Sequence, residues 1–408
     1  LGYGTTTKIG DDEVPASVGA VPVGVEIQRV VAGATHTCVL LVGGAVRCWG
    51  AGAEGRLGVS TPTNIGDDEA AAMAARVDIG EPALDLFAGG STFAILAGGR
   101  LRCWGPFACG YPGETAVGDD ETPASMGDVD LGGAAVQVAS FGANCALLTS
   151  GNVRCWGPSD SGQLGYGNTS TIGDDEAPSS AGDVDVGGTV VQVRSGANHT
   201  CALLANGTVK CWGSNGEGQR GIPGAGNIGD DDTPAMYGVV PVPAPVVEVA
   251  TGMRHTCVRY AAGTVRCWGS SGNGQAGYGN TDNVYFPDMV GNVSIGGTVV
   301  QLSAAMERTC VLLDTKRVRC WGEGAGGQLG YGNTNRIGDN ELPSTAGNVQ
   351  LGGDVEALTM GAFHNCALLT NNTLRCWGDG FSGALGYGNT NNIGDDETPA
   401  SAGAVPLW

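Results

Sequence analysis

The sequence predicts an all-β repeat array, and three observations predict it. One short phrase returns seven times: VRCWG at Val46 to Gly50, Val153 to Gly157, Val265 to Gly269 and Val318 to Gly322, LRCWG at Leu101 to Gly105 and Leu374 to Gly378, and VKCWG at Val209 to Gly213. Its tryptophans, Trp49, Trp104, Trp156, Trp212, Trp268, Trp321 and Trp377, fall 52 to 56 residues apart, so a unit of about 55 residues accounts for nearly the whole chain. Apolar runs are short, β-branched and bounded by Gly, Asn, Asp or Pro, and helix signals are almost absent. Glycine supplies 73 of the 408 residues, well above ordinary usage, and marks a tight turn in every unit.

Each unit reads in the same order. A β-branched strand such as Val190 to Val193 leads, a small polar turn follows, and two strands joined by a Gly-containing turn form a hairpin, as in CALLANGTVKC from Cys201 to Cys211. If that turn is the three-residue loop Ala205-Asn206-Gly207, the flanking cysteines face one another across the hairpin. Six units carry such a pair ten residues apart: Cys38/Cys48, Cys145/Cys155, Cys201/Cys211, Cys257/Cys267, Cys310/Cys320 and Cys366/Cys376. Opposed β-carbons come close enough for a disulfide. In the remaining unit Phe93 fills the first slot, and Cys109 is the substitute partner for Cys103. Reduced cysteines packed as small apolar residues are the alternative. Zinc fits badly, since no closely spaced C-x2-C pairs occur. Local disulfides would place the chain in an oxidising compartment, extracellular or at the cell surface.

Charge narrows the function classes. With 20 basic against 41 acidic side chains the net charge is −21, which disfavours nucleic acid as a partner, because neutralising phosphates needs a basic footprint. No apolar run of eighteen residues exists to span a membrane. No nucleophile with a base, phosphate loop or H-E-x-x-H motif is present, and the chain reads as non-enzymatic. It opens at Leu1 inside a repeat and is expected to be a processed or excised piece. A repeat array needs no internal linker, so residues 1–408 are expected to form one domain.

The order H-[ST]-x-[AV]-L, G-x-V, W-G, GQLG-x-G, and a variable loop closing on VVQV resembles the regulator of chromosome condensation repeat family. The resemblance covers essentially the whole chain. It implies a seven-bladed β-propeller of four-stranded blades around a central axis. The family's founding eukaryotic member is a nuclear, chromatin-bound exchange factor for a small GTPase, a role at odds with the cysteine pairs and the charge. Secreted relatives include protein inhibitors of β-lactamases, which implies that the propeller face can bind protein, although no inhibitory motif carries over to this chain.

Among residues that could bear chemistry, His36, His199, His255 and His364 each stand two residues before the first cysteine of a unit, where other units have Ala143 or Arg308. A slot that tolerates this exchange reads as structural. The cations Arg47, Arg102, Arg154, Lys210, Arg266, Arg319 and Arg375 recur on the same strand face as the tryptophans. They are expected to pack on a neighbouring ring or to pair with acidic loops, with an anion-binding ring as the alternative. The acidic clusters Asp11/Asp12/Glu13, Asp67/Asp68/Glu69, Asp119/Asp120/Glu121, Asp174/Asp175/Glu176, Asp230/Asp231/Asp232, Asp339/Glu341 and Asp395/Asp396/Glu397 read as turns with solvated charge, although weak calcium binding stays open. No other cofactor or metal is expected.

Departures from the repeat are where a partner would be read. The unit around Thr281 to Asp288 lacks the acidic cluster and carries Tyr285 and Phe286; the third unit has PFACGYPG, with Phe107 and Tyr111; Ala70 to Ala75 and Pro241 to Val249 also break the pattern. Aromatics in loops anchor protein interfaces. Sequons occur at Asn168, Asn198, Asn206, Asn292 and Asn371, and matter only in a glycosylating host. Segment 1–24 is nearly repeated as 385–408, which gives eight copies of the loop for seven hairpins. The expected function is a non-enzymatic extracellular scaffold that binds a protein or cell-surface polymer through its loops. The alternatives are a structural subunit that self-assembles into a filament or surface layer through its duplicated ends, and a secreted enzyme inhibitor.

Overall fold

The computed structural model describes residues 27–33, 36–63, 75–106, 108–224, 226–371, 374–379, 385 and 391–403. Phe107, the acidic clusters at 11–13 and 67–69, most of the alanine stretch, and, of the duplicated terminal segments, all of 1–24 with 386–390 and 404–408 lie outside them.

Each repeat folds into one antiparallel sheet of three strands, seven sheets among the described residues. The leading strands are Ile27–Ala32, Ala83–Ala88, Ala135–Ser140, Val190–Ser195, Val246–Thr251, Val299–Ala305 and Val355–Met360. Each is followed by a hairpin such as His255–Tyr260 with Val265–Gly269, or Arg308–Leu313 with Val318–Gly322. One short α-turn, Pro123–Met126, is capped by Thr122, whose hydroxyl accepts from the Ser125 N–H at 3.2 Å.

Among the described residues the sheets show three strands and not the four expected from the sequence, and in five repeats the fourth position holds an isolated bridge, at Gly105–Val117, Gly157–Ile172, Gly269–Val284, Gly322–Ile337 and Gly378–Ile393. Between the third strand and that bridge the chain passes through glycines in the left-handed region, Gly157, Gly162, Gly165 and Gly167 in one repeat. Such a path turns too sharply to sustain a ladder. One of these glycines also makes a close approach. At Gly162 (φ +73°) a β-carbon would lie 2.4 Å from the Asp230 backbone nitrogen.

Hairpin register sets each cysteine directly opposite its partner, Cys145 to Cys155, Cys257 to Cys267 and Cys310 to Cys320 among them. These pairs are disulfide-bonded at a Cα–Cα distance of 4.1 Å, as are Cys38–Cys48 and Cys366–Cys376. Cys201 and Cys211 are likewise bonded. Phe93 stands opposite Cys103 in the register, and Cys103 bonds Cys109 instead. The freed slot is filled by the Phe93 ring, which meets Trp156 edge-on at 5.9 Å.

The chain divides into two compact units, one built on Val21–Ala202 with Ile228–Tyr237, the other on Leu203–Asn227 with Gly238–Trp408. In the first, side chains lace one leading strand to the next: the Gln137 carboxamide donates to the Val193 carbonyl and accepts from its N–H, both at 3.3 Å. The second repeats the device with Gln301 and Leu358, at 2.7 and 3.1 Å. A primary amide can mimic one rung of a strand ladder, because it offers a donor and an acceptor side by side. Among the described residues no helix is long and apolar enough to cross a membrane.

Candidate interaction surface

The repeated phrase is committed to the scaffold. Trp104, Trp156, Trp212, Trp268, Trp321 and Trp377 are fully buried. In the second unit their indole N–H groups reach back to the preceding repeat: Trp268 to the Gln219 carbonyl at 3.0 Å, Trp321 to Gln275 at 2.9 Å and Trp377 to Gln328 at 3.0 Å. The same carbonyls accept from Thr256, Thr309 and Asn365. Each glutamine also folds its side-chain oxygen onto the N–H two residues earlier, Glu217, Asn273 or Gly326, which fixes the turn that presents the carbonyl. In one repeat of the first unit Ala108 replaces the glutamine, and its carbonyl takes Trp156 at 2.7 Å and the Asn144 carboxamide at 3.0 Å.

The recurring cations are likewise internal. Arg154 donates to the Leu131 carbonyl and pairs with Asp183; Arg102 reaches the Ile79 carbonyl and Asp128; Arg266 reaches the Pro287 carbonyl at 2.8 Å and Arg375 the Leu351 carbonyl at 3.2 Å. The expectation of ring stacking or pairing with the acidic loops is thus replaced by backbone acceptors in the connecting segments, with Asp128 and Asp183 as counter-ions. Those carbonyls have no ladder partner, and a guanidinium offers five donors to satisfy them.

The histidines join neighbouring repeats. His36 Nε2 lies 2.7 Å from Thr92 Oγ1, and His255 Nε2 lies 2.9 Å from Thr309 Oγ1. Burial pushes both imidazoles down to about 4, with Arg56 adding repulsion at His36. Arg308, in the same slot, donates to the carbonyls of Ala362 and Gly361 at 2.9 Å, and burial lowers it to about 10.

Tyr111, a contact residue in the sequence reading, is buried. Its hydroxyl donates to the Gly127 carbonyl at 3.0 Å and accepts from the Cys103 N–H at 3.3 Å. Tyr166, Tyr278 and Tyr331 make the same bond to Cys155, Cys267 and Cys320, so Tyr111 holds a repeated scaffold position. Desolvation pushes all four phenols up to about 12.

In four acidic loops, Asp119/Asp120/Glu121, Asp174/Asp175/Glu176, Asp230/Asp231/Asp232 and Asp395/Asp396/Glu397, one oxygen of each carboxylate comes within 4.8 Å of the others. The last carboxylate is the turn former in two of them: Glu121 accepts from the Gly118 N–H at 2.9 Å and Asp232 from the Gly229 N–H at 2.8 Å. Crowding has an electrostatic consequence. Burial, then a hydrogen bond to Asp396 and repulsion from Asp395, raise Glu397 to about 7. The one oxygen that each of three carboxylates brings to the cluster leaves most of the six to eight positions calcium takes to other donors.

Tyr285 and Phe286 are exposed, at 46% and 39%. The bridge between Val284 and Gly269 and that between Ile172 and Gly157 show that Tyr285 stands where the other repeats have the glycine of their acidic loop, and that the acidic residues are deleted. The loop is anchored from below. Asn283 accepts from the Ser271 N–H at 3.0 Å and donates to Glu217, Arg266 holds the Pro287 carbonyl, and Tyr285 lies across Gly218, where a β-carbon would come within 2.7 Å of its Cα. The short turn Pro287–Met289 then presents Met289, 80% exposed. Sequence reasoning missed Met289 and Met236, which is 75% exposed in the first unit; the recurrence of Pro-x-Met at 234–236 and 287–289 was the available signal.

Comparison with known proteins agrees with this architecture. The regulator of chromosome condensation (RCC1) repeat matches residues 27–56, 190–219, 246–275 and 355–384 in one form and 150–203 in another. The ultraviolet-B receptor UVR8 of Arabidopsis thaliana is 30% identical over 262 residues, 62% of this chain and 56% of the receptor. The human E3 ubiquitin-protein ligase HERC2 is 28% identical over 305 residues, 74% of this chain and 6% of the ligase. The chain therefore spans little more than half of the one relative and a small part of the other. Among solved structures, yeast RCC1 (Prp20) bound to Kap60 superposes with a TM-score of 0.65 at 18% identity, covering 88% of this chain and 86% of that one. Prp20p of Saccharomyces cerevisiae, described with its binding to Gsp1p and histones, gives 0.63 at 18% identity, with coverage of 82% and 80%. The chain thus carries regulator of chromosome condensation repeats over the matched residues, set in sheets of one recurrent plan and reinforced by disulfides.

Proposed function

We propose that the chain is a non-enzymatic, extracellular or cell-surface scaffold that binds a protein or a surface polymer through its irregular loops. On this reading the seven sheets close as blades of a propeller, with the isolated bridge marking the rudiment of each fourth strand. The observation that carries the binding function is the Tyr285–Met289 loop, where large apolar side chains are exposed in place of an acidic turn. Anchored aromatics lose little entropy when covered, which suits them to the centre of an interface. The disulfides support an oxidising location. Prp20, of like fold, is described bound to Kap60 and with its binding to Gsp1p and histones.

A photo-crosslinker at Met289, with a second at Gly182 as control, tests the surface against the cell-envelope fraction of the source organism. Adducts at position 289 alone are expected. Tyr285→Ala with Phe286→Ala should weaken the isolated complex about 30-fold, the loss of one interface hot spot. Undiminished binding by that double variant would remove the loop from the interface. The location is tested separately, by alkylating the protein from its source without reductant: fourteen reactive thiols would contradict an oxidising compartment.

A further inference from the structure

We infer that Asn206 is an acceptor for an N-linked glycan, presented by the hairpin turn of the fourth repeat, with Asn168 as a second acceptor. The inference rests on the extracellular reading for its compartment and on the following geometry for its site.

Asn206 occupies the middle of the turn that joins His199–Leu204 to Val209–Gly213, and it is exposed. The turn is closed by the Gly207 N–H donating to the Leu204 carbonyl at 2.9 Å, with Gly207 at φ +80°. The sequon Asn206-Gly207-Thr208 bends back on itself. Asn206 Oδ1 accepts from the Thr208 N–H at 3.0 Å and from the Thr208 hydroxyl at 2.7 Å. Carboxamide and hydroxyl, the two groups a sequon offers, are therefore held together at the tip of a disulfide-bonded repeat. No hydrogen bond from Nδ2 to the described residues occupies the nitrogen that would be modified.

Other asparagines spend that nitrogen inside the protein. Asn215 donates to the carbonyls of Ile222 and Gly224, Asn144 to Ala108 and Asn365 to Gln328. Three of the remaining sequons separate by whether their groups are already engaged, and Asn371 has its sequon threonine outside the described residues. Asn168 is exposed and its Oδ1 caps the Ser170 N–H at 2.9 Å, with no hydrogen bond from its Nδ2 to the described residues. In Asn198-His199-Thr200 the threonine is buried and its hydroxyl is committed to the Gln163 carbonyl at 2.9 Å. In Asn292-Val293-Ser294 the carboxamide oxygen takes Arg266, and the serine hydroxyl lies 3.0 Å from that of Ser344.

The reaction forms a bond between Asn206 Nδ2 and the anomeric carbon of an oligosaccharide carried on a polyprenyl pyrophosphate. The bond from that carbon to the pyrophosphate oxygen breaks, the polyprenyl pyrophosphate departs with the electron pair, and the amide nitrogen gives up one proton. The hairpin turn lies at the end of its strands away from the loop that follows Gly213. A glycan there leaves the loops at that other end uncovered.

The test is expression of the full chain behind a cleavable secretion leader in a glycosylating eukaryotic host. The secreted protein is digested with a glycan-releasing amidase in heavy-oxygen water, and peptides are read by mass spectrometry. The isotope mark is expected at Asn206 in the majority of molecules and at Asn168, with Asn198 and Asn292 largely unmarked. Thr208→Ala should abolish the mark at Asn206 while Thr208→Ser keeps it. Secreted, disulfide-bonded chain with Asn206 unmarked would overturn the inference. Because the leader imposes the route, that result bears on the acceptor alone and leaves the location to the thiol test above.

Discussion

Mild acid should destabilise this protein, and His255 gives the effect a size. The imidazole is buried, packs against Gly252 and bonds Thr309, while its Nδ1 has no hydrogen-bond partner among the described residues. Burial holds it at about 4 against an ordinary 6.5. A histidine depressed in the folded state contributes stability above 6.5 and loses it as pH falls toward 4, because the unfolded chain then binds the proton that the folded chain refuses. At pH 5 the unfolded imidazole is almost fully protonated and the folded one almost neutral, a difference of about 2 kcal/mol relative to pH 7. His36 adds a similar amount by the same argument. Glu397 acts in the opposite direction: raised to about 7, it contributes stability below its unfolded value that is lost as pH rises through 7, but it is partly exposed and its effect is screened. Urea unfolding followed by tryptophan fluorescence at pH 7 and pH 5 should show wild type losing more on acidification than His255→Gln, by about 2 kcal/mol. The carboxamide can still reach Thr309 and cannot titrate. Equal losses in the two proteins, or an imidazole proton resonance of His255 that titrates near 6.5, would refute the reasoning.

Two further predictions concern the scaffold. Cys257→Ala with Cys267→Ala opens a loop of ten residues and should cost about 2 to 3 kcal/mol, seen as a lower urea midpoint with unchanged strand circular dichroism. Gly274→Ala should cost about 3 kcal/mol, because at φ +79° the new methyl would meet the Asp339 backbone nitrogen at 2.5 Å; Gly182→Ala, at φ +72° with nothing near, should cost only about 1 kcal/mol, and equal costs would show that the backbone contact carries no weight.

Much of the architecture was legible because it rests on side-chain identity at fixed spacing. Ten residues between cysteines, with a Gly-containing turn midway, specify a hairpin with the cysteines opposed, and Phe93 announced its own exception. That only an isolated bridge stands at the fourth position among the described residues was not legible: successive glycines there take positive φ, and the letter G does not say which sign of φ a residue adopts. Tyr111 was misread as a loop aromatic although Cys-Gly-Tyr-Pro-Gly keeps the spacing of Leu-Gly-Tyr-Gly around Tyr166; the cysteine beside it drew attention from the match. The glutamine that joins repeats was missed for a different reason. Its main-chain carbonyl does the joining, and every residue has one.

That use of main-chain acceptors bears on where function can reside. Gln219, Gln275 and Gln328 receive the next repeat's indole through a carbonyl, and Ala108 does so with no polar side chain at all. The arginines likewise bind carbonyls of the connecting segments rather than particular side chains. A scaffold joined in this way tolerates replacement of its loops, provided the turn geometry survives. The Tyr285 loop meets that condition: it drops an entire acidic turn, yet keeps the bridge to Gly269, and Arg266 holds its Pro287 carbonyl. Its exposed tyrosine, phenylalanine and methionine are thus a change the fold permits but does not require. Side chains with no part in holding the protein together, placed on a loop that is itself firmly held, are the ones a partner can cover.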